Sequence, residues 1–181
     1  MRSIPFMRLR PLMAAAMVLA ACGGGDIDAQ GSAPAAGPPT VFQGAAVTTS
    51  ISGVEVSDDL DAKPSITLPG GEPPAELEVV DVVEGDGEQA VPGATVTTHY
   101  VGQSWSSGRQ FDSSWDRGEP IAFPLDRVIA GWTQGIPGMK VGGRRSLVIP
   151  AELAYGQSPP PGSGIAPGET LVFVIDLVAT Q

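Results

Sequence analysis

Apolar positions are spread unevenly along this chain, and from Ala75 onward they fall into strand-like runs. Leu77 to Val83 is rich in valine and ends at Glu84-Gly85-Asp86-Gly87, the pattern of a strand closed by a turn. Thr95 to Val101 is a second run of β-branched and aromatic residues. Arg109 to Phe111 and Ile121 to Leu125 are shorter candidates, the latter flanked by Pro120. Arg144 to Ile149 reads as a strand stopped by Pro150, and Thr170 to Val178 as the last one. Helical spacing occurs once, at Val128, Ile129, Trp132 and Ile136, where Gly131 and Gly135 keep the helix short. The pattern predicts an α+β domain over 76–181, mostly antiparallel strands with one short helix.

Upstream the periodicity fades. Residues 22–52 hold a Gly-Gly-Gly run and a Pro-Ala-Ala-Gly-Pro-Pro stretch. Such a segment buries too little apolar surface to offset its ordering entropy, so it reads as a flexible tether. Residues 53–75 are mixed. Val54 and Val56 alternate with polar residues, and Ile66 to Leu68 lies between Pro64 and Pro69. Two readings stay open there, a linker or an extra edge strand.

Residues 1–21 look like an export signal. Arg2, Arg8 and Arg10 precede an apolar stretch from Pro11 to Ala21. About eleven apolar residues are too few to span a bilayer as a helix, which takes about 20, and they suit a signal-peptide core. The stretch ends Leu19-Ala20-Ala21-Cys22, which resembles a bacterial lipobox, and Cys22 is the only cysteine in the chain. The expectation is a lipoprotein held through lipid on Cys22 at the extracytoplasmic face of a membrane. The competing reading is an ordinary signal peptide with a chance cysteine.

Composition sharpens this division. The chain has 181 residues, a net charge of −10, 24 glycines and 18 prolines. Residues 23–91 hold thirteen acids against one lysine, whereas residues 92–181 hold seven acids against six bases. The acidic balance argues against nucleic acid as a partner. One cysteine rules out an intrachain disulfide, and one cysteine with one histidine makes a structural metal site improbable.

The usual catalytic motifs are missing. There is no G-x-S-x-G, no S-x-x-K, no P-loop lysine and no Rossmann spacing. Strand alternation places His99 on the face opposite Tyr100, so the lone histidine reads as a half-exposed strand residue. Asp112 and Asp116 invite a glycosidase reading, but nothing in the spacing sets their geometry. The aromatic content stands out instead: Tyr100, Phe111, Phe123, Trp132, Tyr155 and Phe173 sit on separate elements. Taken alone, they make a plain hydrophobic core.

The motifs around them change that reading. They run in order as His99-Tyr100-Val101-Gly102, Gly108-Arg109-Gln110-Phe111-Asp112-Ser113-Ser114, Val128-Ile129-Ala130-Gly131-Trp132, Gly138-Met139-Lys140-Val141-Gly142, Ile149-Pro150 with Leu153-Ala154-Tyr155-Gly156, and Leu171-Val172-Phe173. From about Leu77 to Val178 this series resembles the FKBP-type peptidyl-prolyl cis–trans isomerases. The resemblance implies a twisted antiparallel sheet wrapped around one short helix, with proline bound in an apolar bowl between them. It implies Trp132 as the floor and Tyr100, Phe111, Val128, Ile129, Tyr155 and Phe173 as walls. Ile121 would lie at the rim, with Ile165 as a further substrate contact. It further implies a substrate hydrogen bond from the Ile129 N–H, another from the Tyr155 hydroxyl, and an Asp112 carboxylate tied to Tyr100 and Arg117. Proline-containing polypeptides and macrolides of the rapamycin type are the implied partners, with no cofactor and no metal. Ile121 stands where familiar members carry an aromatic, and the loop after Tyr155 is about two residues longer. Both departures bear on substrate preference. The alternative to an isomerase of exported proteins is an FKBP-like chaperone or docking module with little catalysis.

Overall fold

The computed structural model describes residues 47–49 and 52–181. The stretch expected as an export signal, Cys22 and nearly all of the expected 22–52 tether lie outside the described residues.

Among the described residues, nine strands and one α-helix form in chain order: β1 (Val47–Thr49), β2 (Glu55–Ser57), β3 (Ile66–Thr67), β4 (Glu78–Val83), β5 (Thr95–Ser104), β6 (Gln110–Ser113), β7 (Ile121–Pro124), α1 (Ala130–Gly135), β8 (Arg144–Ile149) and β9 (Leu171–Thr180). The last six strands make one antiparallel sheet in the order β4-β8-β9-β5-β6, and β7 pairs with the first half of β5. Every strand expected downstream of Ala75 is present, and the helix falls within its expected stretch.

Alternation along the central strands builds two cores. On β8, Leu147 and Ile149 face one side and Val148 the other; on β9, Phe173 and Ile175 oppose Val172 and Val174. The front core gathers Val96, Tyr100, Leu125, Trp132, Ile136, Leu147, Ile149, Leu171, Phe173 and Ile175. Helix α1 packs on it at close range because its glycines face the sheet. A Cβ on Gly131 would lie 2.4 Å from Ile149 Cγ2, and one on Gly135 would lie 2.7 Å from Leu147 Cδ2. These glycines set the depth of the helix as well as its length.

Residues 53–75 are neither a linker nor an added edge strand of this sheet. With Val47–Thr49 they form a separate three-stranded sheet in the order β1-β2-β3. It covers the rear face, where Val54 and Val56 are buried against Trp105, Val148, Val172 and Val174. The stretch expected as a tether up to residue 52 thus includes one short strand.

A buried arginine fastens this cover. Arg144 is fully enclosed and binds both carboxylate oxygens of Asp176, at 2.5 and 2.8 Å. Its remaining donors reach the carbonyl oxygens of Ser57, Asp59 and Ala62 at 3.0, 2.7 and 3.0 Å. Burial raises the Asp176 carboxyl above its ordinary pKa, and Arg144 offsets only part of that rise. Its neighbour Arg145 points to the front face. It donates to the Gly135 carbonyl oxygen at the end of α1 and pairs with Asp81 on β4.

Candidate active site

Five aromatic rings from five elements meet in front of the sheet. Trp132 in α1 forms the floor, with its ring edge-on to Tyr100, Phe123 and Phe173 at centroid distances of 5.5, 5.3 and 5.3 Å. Phe111 on β6 stands nearly perpendicular to Phe173 at 5.5 Å. Edge-to-face contact of this kind adds to the burial of each ring and fixes its tilt. Gly102 on β5 explains how the rings fit over bare sheet. A Cβ there would lie 2.6 Å from Phe111 Cζ and 2.9 Å from Phe173 Cε1.

The rings enclose a cavity of about 480 Å³, lined by Tyr100, Phe111, Asp112, Phe123, Arg127, Val128, Ile129, Trp132, Tyr155 and Phe173. Val128 and Ile129 arrive on the turn that leads into α1. Ile129 caps the helix in an extended conformation, and among the described residues its N–H donates no backbone hydrogen bond. Tyr155 follows the 3-10 turn Ala151–Leu153. Burial, with the Asp112 charge nearby, raises its hydroxyl above the ordinary pKa.

One polar cluster borders the rings. The Tyr100 hydroxyl donates to Asp112 Oδ2 at 2.5 Å, Arg117 Nη1 donates to Asp112 Oδ1 at 2.5 Å, and Arg117 Nη2 donates to the Tyr100 hydroxyl at 2.8 Å. Burial alone would raise the Asp112 carboxyl, but the hydrogen bonds from Arg117 and Tyr100 outweigh it and hold the group below the ordinary carboxylate range. Burial and the same carboxylate push Tyr100 up to about 12. At neutral pH the cluster therefore holds an ionised carboxylate beside an intact phenol.

The comparisons with known proteins point one way. Residues 86–178 match the family described as FKBP-type peptidyl-prolyl cis-trans isomerase. An FK506-binding protein of Streptomyces anulatus is 59% identical over 119 residues, which are 65% of this chain and 96% of that protein. The chain belongs to the FKBP family. A probable FK506-binding protein of Corynebacterium glutamicum is 55% identical, over 65% of this chain and 98% of its own length. The crystal structure of AtFKBP13 aligns with a TM-score of 0.53 at 40% identity, over 60% of this chain and 96% of that one. The FKBP fold and peptidyl-prolyl cis–trans isomerase activity follow from these likenesses.

Of the residues singled out in the sequence, Tyr100, Phe111, Asp112, Val128, Ile129, Trp132, Tyr155 and Phe173 all line the FKBP cavity. Arg117 reaches it through Asp112 and Tyr100. Ile121 and Ile165 pack against the same core without lining the cavity. Cys22 lies outside the described residues. Two lining residues, Phe123 and Arg127, were not assigned to the site. Phe123 shares a strand face with Ile121, so period-2 alternation carried the signal. Nothing in the sequence marked Arg127.

The remaining candidates fall elsewhere. His99 lies on the opposite face of β5 from Tyr100, stacked on Trp115 at 4.5 Å, with Nδ1 3.1 Å from Ser114 Oγ. Asp116 pairs with Lys63 at 2.6 Å and accepts from Gln110. Asp112 and Asp116 thus serve different partners.

Proposed function

We propose that this FKBP domain isomerises X-Pro bonds without covalent chemistry, by desolvating the amide and fitting its twisted form. The observation that carries this reading is the aromatic cavity, in which the charged carboxylate at its edge is already bound by Arg117 and Tyr100. Rotation about a peptide bond faces a barrier of about 18–20 kcal/mol because conjugation is lost midway. X-Pro bonds populate both isomers and exchange over tens to hundreds of seconds unaided. A twisted amide is less polar than a planar one, so a dry aromatic site favours it relative to water. Trp132 would floor the proline ring, with Tyr100, Phe111 and Phe173 as walls. The Ile129 N–H and the Tyr155 hydroxyl supply donors for flanking carbonyl oxygens. Tyr100, Asp112 and Arg117 hold one edge of the bowl in place. Every 1.36 kcal/mol of preference for the twisted amide is a tenfold gain in rate.

The same apolar cavity would accept macrolides of the rapamycin type. The Arg-rich start, the short apolar stretch and Leu19-Ala20-Ala21-Cys22 support a lipoprotein at the extracytoplasmic face, acting on exported polypeptides. The experiment is turnover of a proline tetrapeptide by Phe111→Ala/Trp132→Leu, with folding checked by circular dichroism. Loss of nearly all activity in the folded double variant is expected, and full activity would overturn the mechanism.

A further inference from the structure

We propose that Arg127 makes this isomerase favour proline segments that carry a carboxylate beside the proline. The inference rests on the isomerase reading and extends it to substrate choice. Two charged side chains line the cavity, Asp112 and Arg127. Asp112 is occupied, because Arg117 and Tyr100 bind its two oxygens at 2.5 Å each. Arg127 is not. Among the described residues, Lys63, Arg117, Lys140, Arg144 and Arg145 each hold a carboxylate. Arg109 and Arg127 hold none, and Arg109 lies outside the cavity lining.

The backbone places Arg127 firmly. Its N–H donates to the Pro124 carbonyl oxygen at 3.0 Å, closing the turn between β7 and α1, and Val128 and Ile129 follow it into the cavity wall. The side chain is exposed at the mouth. A polypeptide seated with its proline on Trp132 must carry its flanking residues past that mouth. A carboxylate there meets a guanidinium whose forked donors suit it. A lysine there meets a like charge. The chain as a whole carries −10, so any general pull on acidic segments is ruled out, and the preference is local to this one side chain.

The site is wet, so the effect is that of an exposed ion pair. The preference for a glutamate-bearing over a lysine-bearing peptide is expected to be about threefold to tenfold larger with Arg127 than without it. The test measures kcat/KM by exchange spectroscopy, free of any coupling protease. Two proline tetrapeptide pairs are used, with Glu or Lys placed before the proline in one pair and after it in the other. The Glu-to-Lys ratio is taken within each enzyme, which cancels losses of overall activity or stability. Arg127→Gln is expected to lower the ratio in at least one pair, Arg127→Lys to keep most of it, and Arg127→Glu to invert it. Equal ratios in wild type and Arg127→Gln for both pairs would overturn the inference. Absence of turnover with every peptide would count against the isomerase reading instead, and the same ratios taken from peptide Kd values would then decide the inference.

Discussion

At the residue scale, protonation state matters most at Tyr100 and Asp112. Asp112 titrates below the ordinary carboxylate range and Tyr100 at about 12, so neither changes charge near neutrality. Because the folded Asp112 pKa is depressed, its contribution to stability is present above the unfolded value and is lost as pH falls through the folded one. For Tyr100 the folded value is raised, so its contribution holds below about 10 and fades as pH rises toward 12. Activity on a neutral peptide should therefore be flat from about pH 5 to 9, with no bell-shaped limb between. Tyr100→Phe removes a donor to a charged acceptor, an interaction worth about 1.5–3 kcal/mol, and should lower kcat/KM about tenfold or more. The variant should also shift Asp112 upward, which carboxyl NMR titration reads directly. Unchanged kcat/KM would reduce the cluster to decoration of the rim.

At the element scale, the small rear sheet is joined to the domain through Arg144. This guanidinium bridges Asp176 of β9 and three carbonyl oxygens, one at the end of β2 and two in the loop between β2 and β3. Arg144→Met leaves Asp176 buried without its cation. Breaking a buried pair in this way costs about 3–5 kcal/mol, which urea unfolding would measure at pH 7. The pH dependence has a definite sign. Burial already raises Asp176, and without Arg144 the rise grows, so the folded variant binds that proton more tightly than its unfolded state. Its deficit should shrink as pH falls through the raised value. A loss under about 1 kcal/mol at pH 7 would show that the clasp contributes no more than an exposed pair.

At the scale of the whole molecule, charge and chemistry separate along the chain. The acids concentrate between residues 23 and 91, while the segment that builds the cavity wall is nearly balanced. An apolar bowl for an uncharged proline ring sits in that balanced part. The lipobox reading predicts that export ends with lipid on Cys22, where two or more acyl chains would hold the domain firmly. Cys22→Ser should then move the protein from the membrane fraction to the soluble fraction of its host, with peptide turnover unchanged. Mass spectrometry should find diacylglyceryl on wild-type Cys22. An unlipidated mature chain would leave only an ordinary signal peptide.

Much of this protein was legible before folding was considered. Strands β4 to β9 and the short helix follow from alternation and from glycine and proline punctuation, because these signals are local in the chain; the eight cavity residues came from the resemblance of the ordered motif series to the FKBP family. The rear sheet was not legible in that way, since Val54, Val56 and Ile66 are apolar positions in a stretch broken by Pro64, Pro69, Gly70 and Gly71. A hint did exist: Leu171 to Leu177 is almost continuously apolar, as a strand covered on both faces must be. Which segment supplies the cover depends on Arg144 meeting carbonyl oxygens more than 80 residues away. Arg127 is the same case in front, an ordinary exposed base in the sequence. Only packing in three dimensions shows that Asp112, the other cavity charge, is already paired, while Arg127 lines the cavity with no carboxylate bound to it among the described residues.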